Sequence, residues 1–112
     1  MSLKTFTEAY IECAFWSSCA EDGTPLDAVE ADPSPECIAK LEADARDFYG
    51  AHNELFEDDA QAGHDFWLTR NGHGAGFWDR GLGEVGEKLT AASKPYGSCD
   101  LIVGDDGQIH CL

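Results

Sequence analysis

The chain has 112 residues, of which 43% are apolar and 11% aromatic, and a formal net charge of −15 at pH 7. That length suits a single globular domain, and so many aromatic residues exclude an acidic disordered segment. Residues 1–60 hold fifteen acids against three bases, whereas residues 61–112 hold seven acids against four bases. Such a field repels nucleic-acid phosphates and attracts basic partners, so the composition argues against direct nucleic-acid binding.

The five cysteines are an odd number and include no C-x-x-C pair, which argues against a disulfide framework and a zinc ribbon. We expect free thiols in a reducing cytoplasm, and leave open whether Cys99 pairs with Cys111. The N-terminus lacks the pattern of a signal peptide, and no apolar run approaches membrane-spanning length. We therefore expect a cytoplasmic protein that binds no membrane.

Two helices are predicted in the N-terminal half. The spacing of Thr5 and Glu8 resembles a capping box, so a first helix should begin there and end near Cys19. Ser34 and Pro35 are typical of a helix start, and apolar residues then recur every three or four positions as far as Leu55. The second helix should therefore carry an acidic face, made of Glu36, Glu42, Asp44, Asp47, Glu54, Glu57, Asp58 and Asp59.

The last three of these acids fall at the predicted C-terminal end of the second helix. The helix dipole is negative there, so the charges of Glu57, Asp58 and Asp59 are locally unfavourable. A bound cation or a basic partner would compensate them, and a frayed, solvated helix end is the alternative.

The central segment, residues 64–81, has the most specialised composition in the chain. Aromatic runs at 66–69 and 75–79 flank Asn71-Gly72, a dipeptide that favours a hairpin turn. A short helix should follow over residues 82–92, ended by Pro95. A second hairpin, with a type I′ turn at Asp106-Gly107, should close the chain. The predicted fold is one α+β domain over residues 1–112, with three helices packed on an antiparallel sheet of about four strands built from two hairpins.

The predicted aromatic hairpin is the first candidate binding site. Large aromatics would stand on both of its faces, and two arginines would bracket its turn, able to hold an anion or to pair with the protein's own acids. The residues of this site are Phe66, Trp67, Arg70, His73, Phe77, Trp78 and Arg80.

Chemistry beyond binding has weaker support in the sequence. His64 beside Asp65 fits a general base or a metal ligand, but no nucleophile elbow, H-E-x-x-H motif or phosphate-cradling loop is present. The interpretation leans away from an enzyme, and we predict no catalytic residue, cofactor or metal.

The segment from Asp65 to Asp79, with the later Asp105-Asp106-Gly107-Gln108-Ile109-His110, resembles a group of small uncharacterised proteins of tailed bacteriophages and prophages. The resemblance covers roughly residues 63–110. It implies an accessory protein made in the cytoplasm of a bacterial host, but no activity that can be carried over to single residues. By analogy with small acidic phage inhibitors, the strong negative charge suits a nucleic-acid mimic that acts against host defence proteins.

The sequence is compatible with three functions. The first is an interaction protein whose acidic face binds a basic host protein. The second is a small-ligand or metal-binding module, or an enzyme, that uses His64, Asp65, Arg70, His73 and Arg80. The third is a structural homodimer formed through the aromatic hairpin.

Overall fold

The computed structural model describes residues 2–19, 23–29, 31–72, 76–79 and 81–111, with the backbone alone for Asp27 and Asp79. These residues form an α+β fold whose four α-helices are α1 (Leu3–Ser17), α2 (Pro35–His52), α3 (Asp59–Arg70) and α4 (Glu84–Ser93). The strands are β1 (Asp32–Pro33), β2 (Leu101–Val103) and β3 (Gln108–Cys111). Short 3₁₀ turns occupy Leu26–Ala28, Asn53–Leu55, Phe77–Asp79 and Lys94–Tyr96.

The second predicted helix is confirmed at its start. Ser34 caps α2 by accepting a hydrogen bond from the Cys37 amide at 3.0 Å, and Pro35 occupies the first helical position. The α-helix ends at His52, and a 3₁₀ turn carries the chain on to Leu55. The first helix begins earlier than predicted, because Ser2 is its cap and accepts from the Thr5 amide at 3.2 Å. The predicted capping box at Thr5 is therefore wrong.

The predicted aromatic hairpin is also wrong, because residues 59–70 form helix α3. Asn71 is the C-cap of that helix, and Gly72 follows in the left-handed conformation with φ of 70°. The Asn-Gly pair thus ends a helix where the sequence suggested a hairpin turn, since a positive φ serves both structures. His73, Gly74, Ala75 and Arg80, which belonged to the predicted hairpin or its flank, lie outside the described residues.

The acids at the start of α3 lie at the N-terminal, positive end of a helix dipole, whereas the sequence predicted them at a C-terminal, negative end. The Asp58 carboxylate caps α3 by accepting from the amides of Ala60 and Gln61, at 2.9 and 3.1 Å. The Asp59 carboxylate accepts from the Ser2 amide at 2.7 Å. Negative charge at a helix N-terminus is stabilising, so these two acids need no external cation.

A small mixed sheet takes the place of the predicted four-stranded antiparallel one. The C-terminal hairpin is confirmed, with β2 antiparallel to β3, and β1 pairs parallel to the other side of β3. The turn between β2 and β3 has a positive φ only at Gly107, so the predicted type I′ turn is wrong. Helix α4, at Glu84–Ser93, confirms the predicted short helix.

The helices enclose a core built largely from aromatic rings. Phe66 stacks on Phe48 with ring centroids 4.0 Å apart and on Tyr10 at 4.9 Å. Helices α1 and α3 approach so closely that a Cβ added at Gly63 would lie 2.4 Å from the Phe6 carbonyl oxygen. A glycine is therefore required where these two helices meet.

Candidate functional site

Arg70 is a buried cation near the C-terminal end of α3. Its side chain is 1% exposed, and its Nη1 donates to the Asp44 carboxylate at 2.7 Å and to the Tyr10 hydroxyl at 2.8 Å. Its Nε and Nη2 donate to the carbonyl oxygens of Gly97 and Tyr96, each at 2.9 Å. The guanidinium carbon also lies 5.6 Å from the Tyr96 ring centroid. Arg70 therefore joins α1, α2, α3 and the segment after α4.

The titration of this cluster keeps Arg70 charged and Tyr10 neutral. Burial raises the pKa of the Tyr10 phenol above its usual value, although the charge of Arg70 acts to lower it. Burial acts to lower the pKa of Arg70, but the interactions with Tyr10 and Asp44 outweigh it and leave that pKa raised. The guanidinium is thus engaged inside the protein, as the alternative of internal pairing predicted, and is not presented to an external anion.

The other members of the predicted hairpin site are divided between interior and surface. Phe66, Trp67 and Phe77 are buried, and the Trp67 indole N–H donates to the Ser17 hydroxyl at 2.8 Å. Trp78 is 55% exposed. Of the predicted aromatic site, Trp78 is thus the large side chain among the described residues that faces solvent.

His64 and Asp65 follow one another on α3 and have different surroundings. Asp65 is 1% exposed and accepts from the Gln61 amide nitrogen at 3.1 Å, whereas His64 is half-buried. Within the described parts of the chain, no group of three or more His, Cys, Asp or Glu side chains is arranged to hold a metal ion.

All five thiols are free. Cys99 hydrogen-bonds to Cys111, and that contact, followed by burial, raises the pKa of the Cys99 thiol. Cys111 in turn donates to the Cys37 carbonyl oxygen at 3.6 Å. The raised pKa keeps the Cys99 thiol protonated and slow to react.

The acidic face predicted for the second helix is spread over three consecutive elements. Six of its eight members are exposed on α2, on the following 3₁₀ turn and in the segment that leads into α3: Glu36, Glu42, Asp47, Glu54, Glu57 and Asp58. Asp44 and Asp59 are partly buried, and they bind Arg70 and the Ser2 amide respectively. Asp47 accepts from the Tyr96 hydroxyl. We call the six exposed acids the acidic surface.

A cavity of about 230 Å³ lies between α3 and α4 at one end of the acidic surface. Its apolar wall includes Phe56, Phe77, Leu82 and Leu89, and its polar wall consists of Glu57, Asp58, Gln61 and Asp65. We call it the α3–α4 cavity. No pattern in the sequence indicated it, because its walls come from four segments that only the tertiary fold brings together.

Comparison with protein-family models, with curated proteins and with solved structures found no match. The resemblance to tailed-phage proteins therefore stays a prediction from the sequence. Over the described residues, no helix combines the length and the apolar character needed to cross a membrane.

Proposed function

We propose that this protein binds a basic surface on another protein through its acidic surface. The observation that supports the proposal is the exposure of six carboxylates on consecutive elements in the half of the chain with the greater excess of acids. Few cations offset them there. Of the three bases in residues 1–60, Lys40 pairs with Asp44 at 3.1 Å and Lys4 with Glu8 at 3.9 Å, and neither acid belongs to the acidic surface. The third, Arg46, is exposed on α2 four residues after Glu42, so one cation lies among the six acids.

The partner class we propose is a nucleic-acid-binding protein of a bacterial host. A groove built for phosphates presents closely spaced lysines and arginines, and a surface rich in carboxylates is complementary to such an array. Occupying that groove would block its nucleic acid. The phage-like segment supports a host-directed role for this competition.

Two variants of equal net charge test the proposal. The first replaces Glu36, Glu42, Glu54 and Glu57 by glutamine, and the second neutralises four exposed acids elsewhere, Glu84, Glu87, Asp100 and Asp105. Each variant is immobilised, exposed to bacterial lysates at 0.1 and at about 0.5 M salt, and the captured proteins are identified and assayed for nucleic-acid binding.

The first variant should lose the partner that the wild type captures at low salt, and the second should keep it. Added wild-type protein should also displace nucleic acid from that partner. Equal loss from both variants would show attraction to net charge without a defined surface, and retention by both would contradict the proposal.

A further inference from the structure

We propose that the outer edge of β2 binds an extended segment of another protein as an added strand, and that lysine or arginine accompanies the apolar residues of this segment. β2 stands at one end of the strand order β1-β3-β2, so among the described residues only β3 pairs with it. This edge uses none of the six acids of the acidic surface. The proposal therefore goes beyond the proposed function and does not rest on it.

The register of the hairpin determines which main-chain groups of β2 point outward. The Gly104 amide donates to the Gln108 carbonyl oxygen at 2.8 Å, so these two residues are a hydrogen-bonded pair of the antiparallel ladder. Bonded and non-bonded pairs alternate in such a ladder, which makes Ile102 the next residue that bonds to β3. The N–H and C=O groups of Leu101 and Val103 therefore point away from β3.

The surroundings of β2 leave this edge accessible. Ile102 is 40% exposed and Val103 is 38% exposed, so two apolar side chains of one short strand face solvent. Leu101 is a core residue, but a cavity of about 300 Å³ adjoins it. An added strand thus has apolar side chains to cover and open space at both ends of β2.

The opposite edge of the sheet is protected. β1 consists of Asp32 and Pro33, and a proline has no N–H to offer to a further strand. Prolines and charged side chains are common means of preventing strand addition at an edge. The three residues of β2 include neither, so β2 and not β1 is the edge that accepts a strand. Its short length limits the main-chain bonds to a few, which corresponds to weak binding.

Charge decides which segment fits. Asp100 and Asp105 lie near the two ends of β2 and are exposed, and no lysine or arginine follows Lys94 in the chain. Two copies of this protein paired antiparallel about Ile102 would bring Asp100 of each copy beside Asp105 of the other, and like charges across a strand pair are destabilising. A basic segment has the complementary sign. Since exposed ion pairs contribute little, the main-chain bonds supply most of the affinity and the two acids select the sign of charge.

The test uses three synthetic peptides with the full chain. KVTVTK alternates valine and threonine between two lysines, and EVTVTE replaces both lysines by glutamate. The third peptide is KVTVTK with N-methyl groups on its four central residues, which removes their N–H donors and keeps the charge. Binding is followed through amide shifts and amide hydrogen exchange in two-dimensional NMR.

We expect KVTVTK to bind in a saturable way at millimolar concentration. It should shift the amides of Leu101 and Val103 and slow their hydrogen exchange, whereas the Ile102 amide, which is already bonded to β3, should change little. EVTVTE should bind at least about fivefold more weakly, and the N-methylated peptide should not bind.

Two variants at one position separate the main chain from the side chain. Val103→Pro removes an outward N–H without removing a bond to β3, so KVTVTK should no longer bind. Val103→Ala keeps that N–H and should weaken binding by no more than about fivefold. Slow exchange of the Ile102 amide shows that the hairpin is intact in each variant. If Val103→Pro disrupts the hairpin, the N-methylated peptide still tests the main-chain bonds.

Equal binding of KVTVTK and its N-methylated form would overturn the inference, because the main chain of β2 would then take no part. Equal binding of KVTVTK and EVTVTE would overturn the choice of a basic segment. Protection of the Leu101 and Val103 amides that grows with protein concentration alone would assign the edge to a second copy and overturn it as well. None of these results bears on capture of a partner by the acidic surface, so the β2 edge and the proposed function fail separately.

Discussion

Replacing Arg70 by methionine should destabilise the protein by about 3–5 kcal/mol. Methionine keeps most of the apolar stem but removes every donor, leaving the Asp44 carboxylate, the Tyr10 hydroxyl and two carbonyl oxygens without the guanidinium. Breaking a buried ion pair from one side costs about 3–5 kcal/mol. Asp44 keeps its exposed partner Lys40 in this variant, but it loses its buried one, and three other acceptors lose their donor as well. Since a domain of this size has a total stability of about 5–15 kcal/mol, the variant should lie near the limit of folding.

The assay is urea unfolding followed by tryptophan fluorescence, which reports on the buried Trp67. Lys40→Ala is the matched control, since Lys40 pairs with the same Asp44 oxygen at 3.1 Å but has a side chain that is 47% exposed. An exposed pair four residues apart on a helix contributes about 0.3–0.5 kcal/mol, so this control should be nearly neutral.

A double-mutant cycle separates the ion pair from general damage to the core. In an Asp44→Ala background the loss of stability caused by Arg70→Met should fall by at least about 1 kcal/mol, because the carboxylate that Arg70 binds is already gone. The reasoning is refuted if Arg70→Met unfolds within about 1 kcal/mol of the wild type, or if Lys40→Ala costs as much as Arg70→Met.

Three other changes test the packing, the capping and the titration of the structure. Gly63→Ala should lower the stability by about 1–3 kcal/mol, because the added Cβ forces α1 and α3 apart. Gly50→Ala, with nothing within 4 Å of the added carbon, should stabilise α2 by about 0.5–1 kcal/mol. Equal effects of the two changes in thermal unfolding would contradict the close approach of α1 and α3. Asp58→Ala should lower the stability by about 1 kcal/mol, because α3 loses its N-terminal cap. An equal loss of stability in Glu57→Ala would show that the negative charge, and not the cap, is responsible. Burial raises the pKa of the Cys13 thiol from 9.0 to about 11 in the folded protein. The protonated thiol therefore favours the folded state fully below pH 9, and this contribution to stability is lost as the pH rises towards 11. Across this window the free energy of unfolding should fall with pH more steeply in the wild type than in Cys13→Ala, by up to about 1.4 kcal/mol per pH unit. Parallel curves for the two proteins would contradict a raised pKa at Cys13.

Local signals in the sequence predicted the elements whose causes are local. Ser34 and Pro35 identify the start of α2 because a cap and a proline act on the amides immediately around them. The same holds for the C-terminal hairpin, where a glycine with a positive φ closes the turn at Gly107. Neither feature needs a distant residue to form.

Helix α3 was not predicted, because it is buried on most sides. Ala62, Gly63, Asp65, Phe66, Trp67, Thr69 and Arg70 are all buried within twelve residues, so the alternation of apolar and polar faces that reveals a surface helix is missing. Its aromatic residues have a high strand propensity, but packing against α1 overrides it. Strand β1 was missed for another reason: two residues that pair parallel to a strand more than seventy positions away leave no pattern of their own.

The candidate site also combines features that composition determines with features that depend on contacts between distant residues. Net charge and its excess in the first sixty residues are properties of composition, so the sequence alone determined that the protein presents a strongly acidic surface. Only the tertiary structure determined which of the charged side chains are exposed on that surface. Arg70 is engaged by groups 26 to 60 residues away, and the walls of the α3–α4 cavity come from separate segments, because contacts between distant residues depend on how the helices pack and not on any local preference.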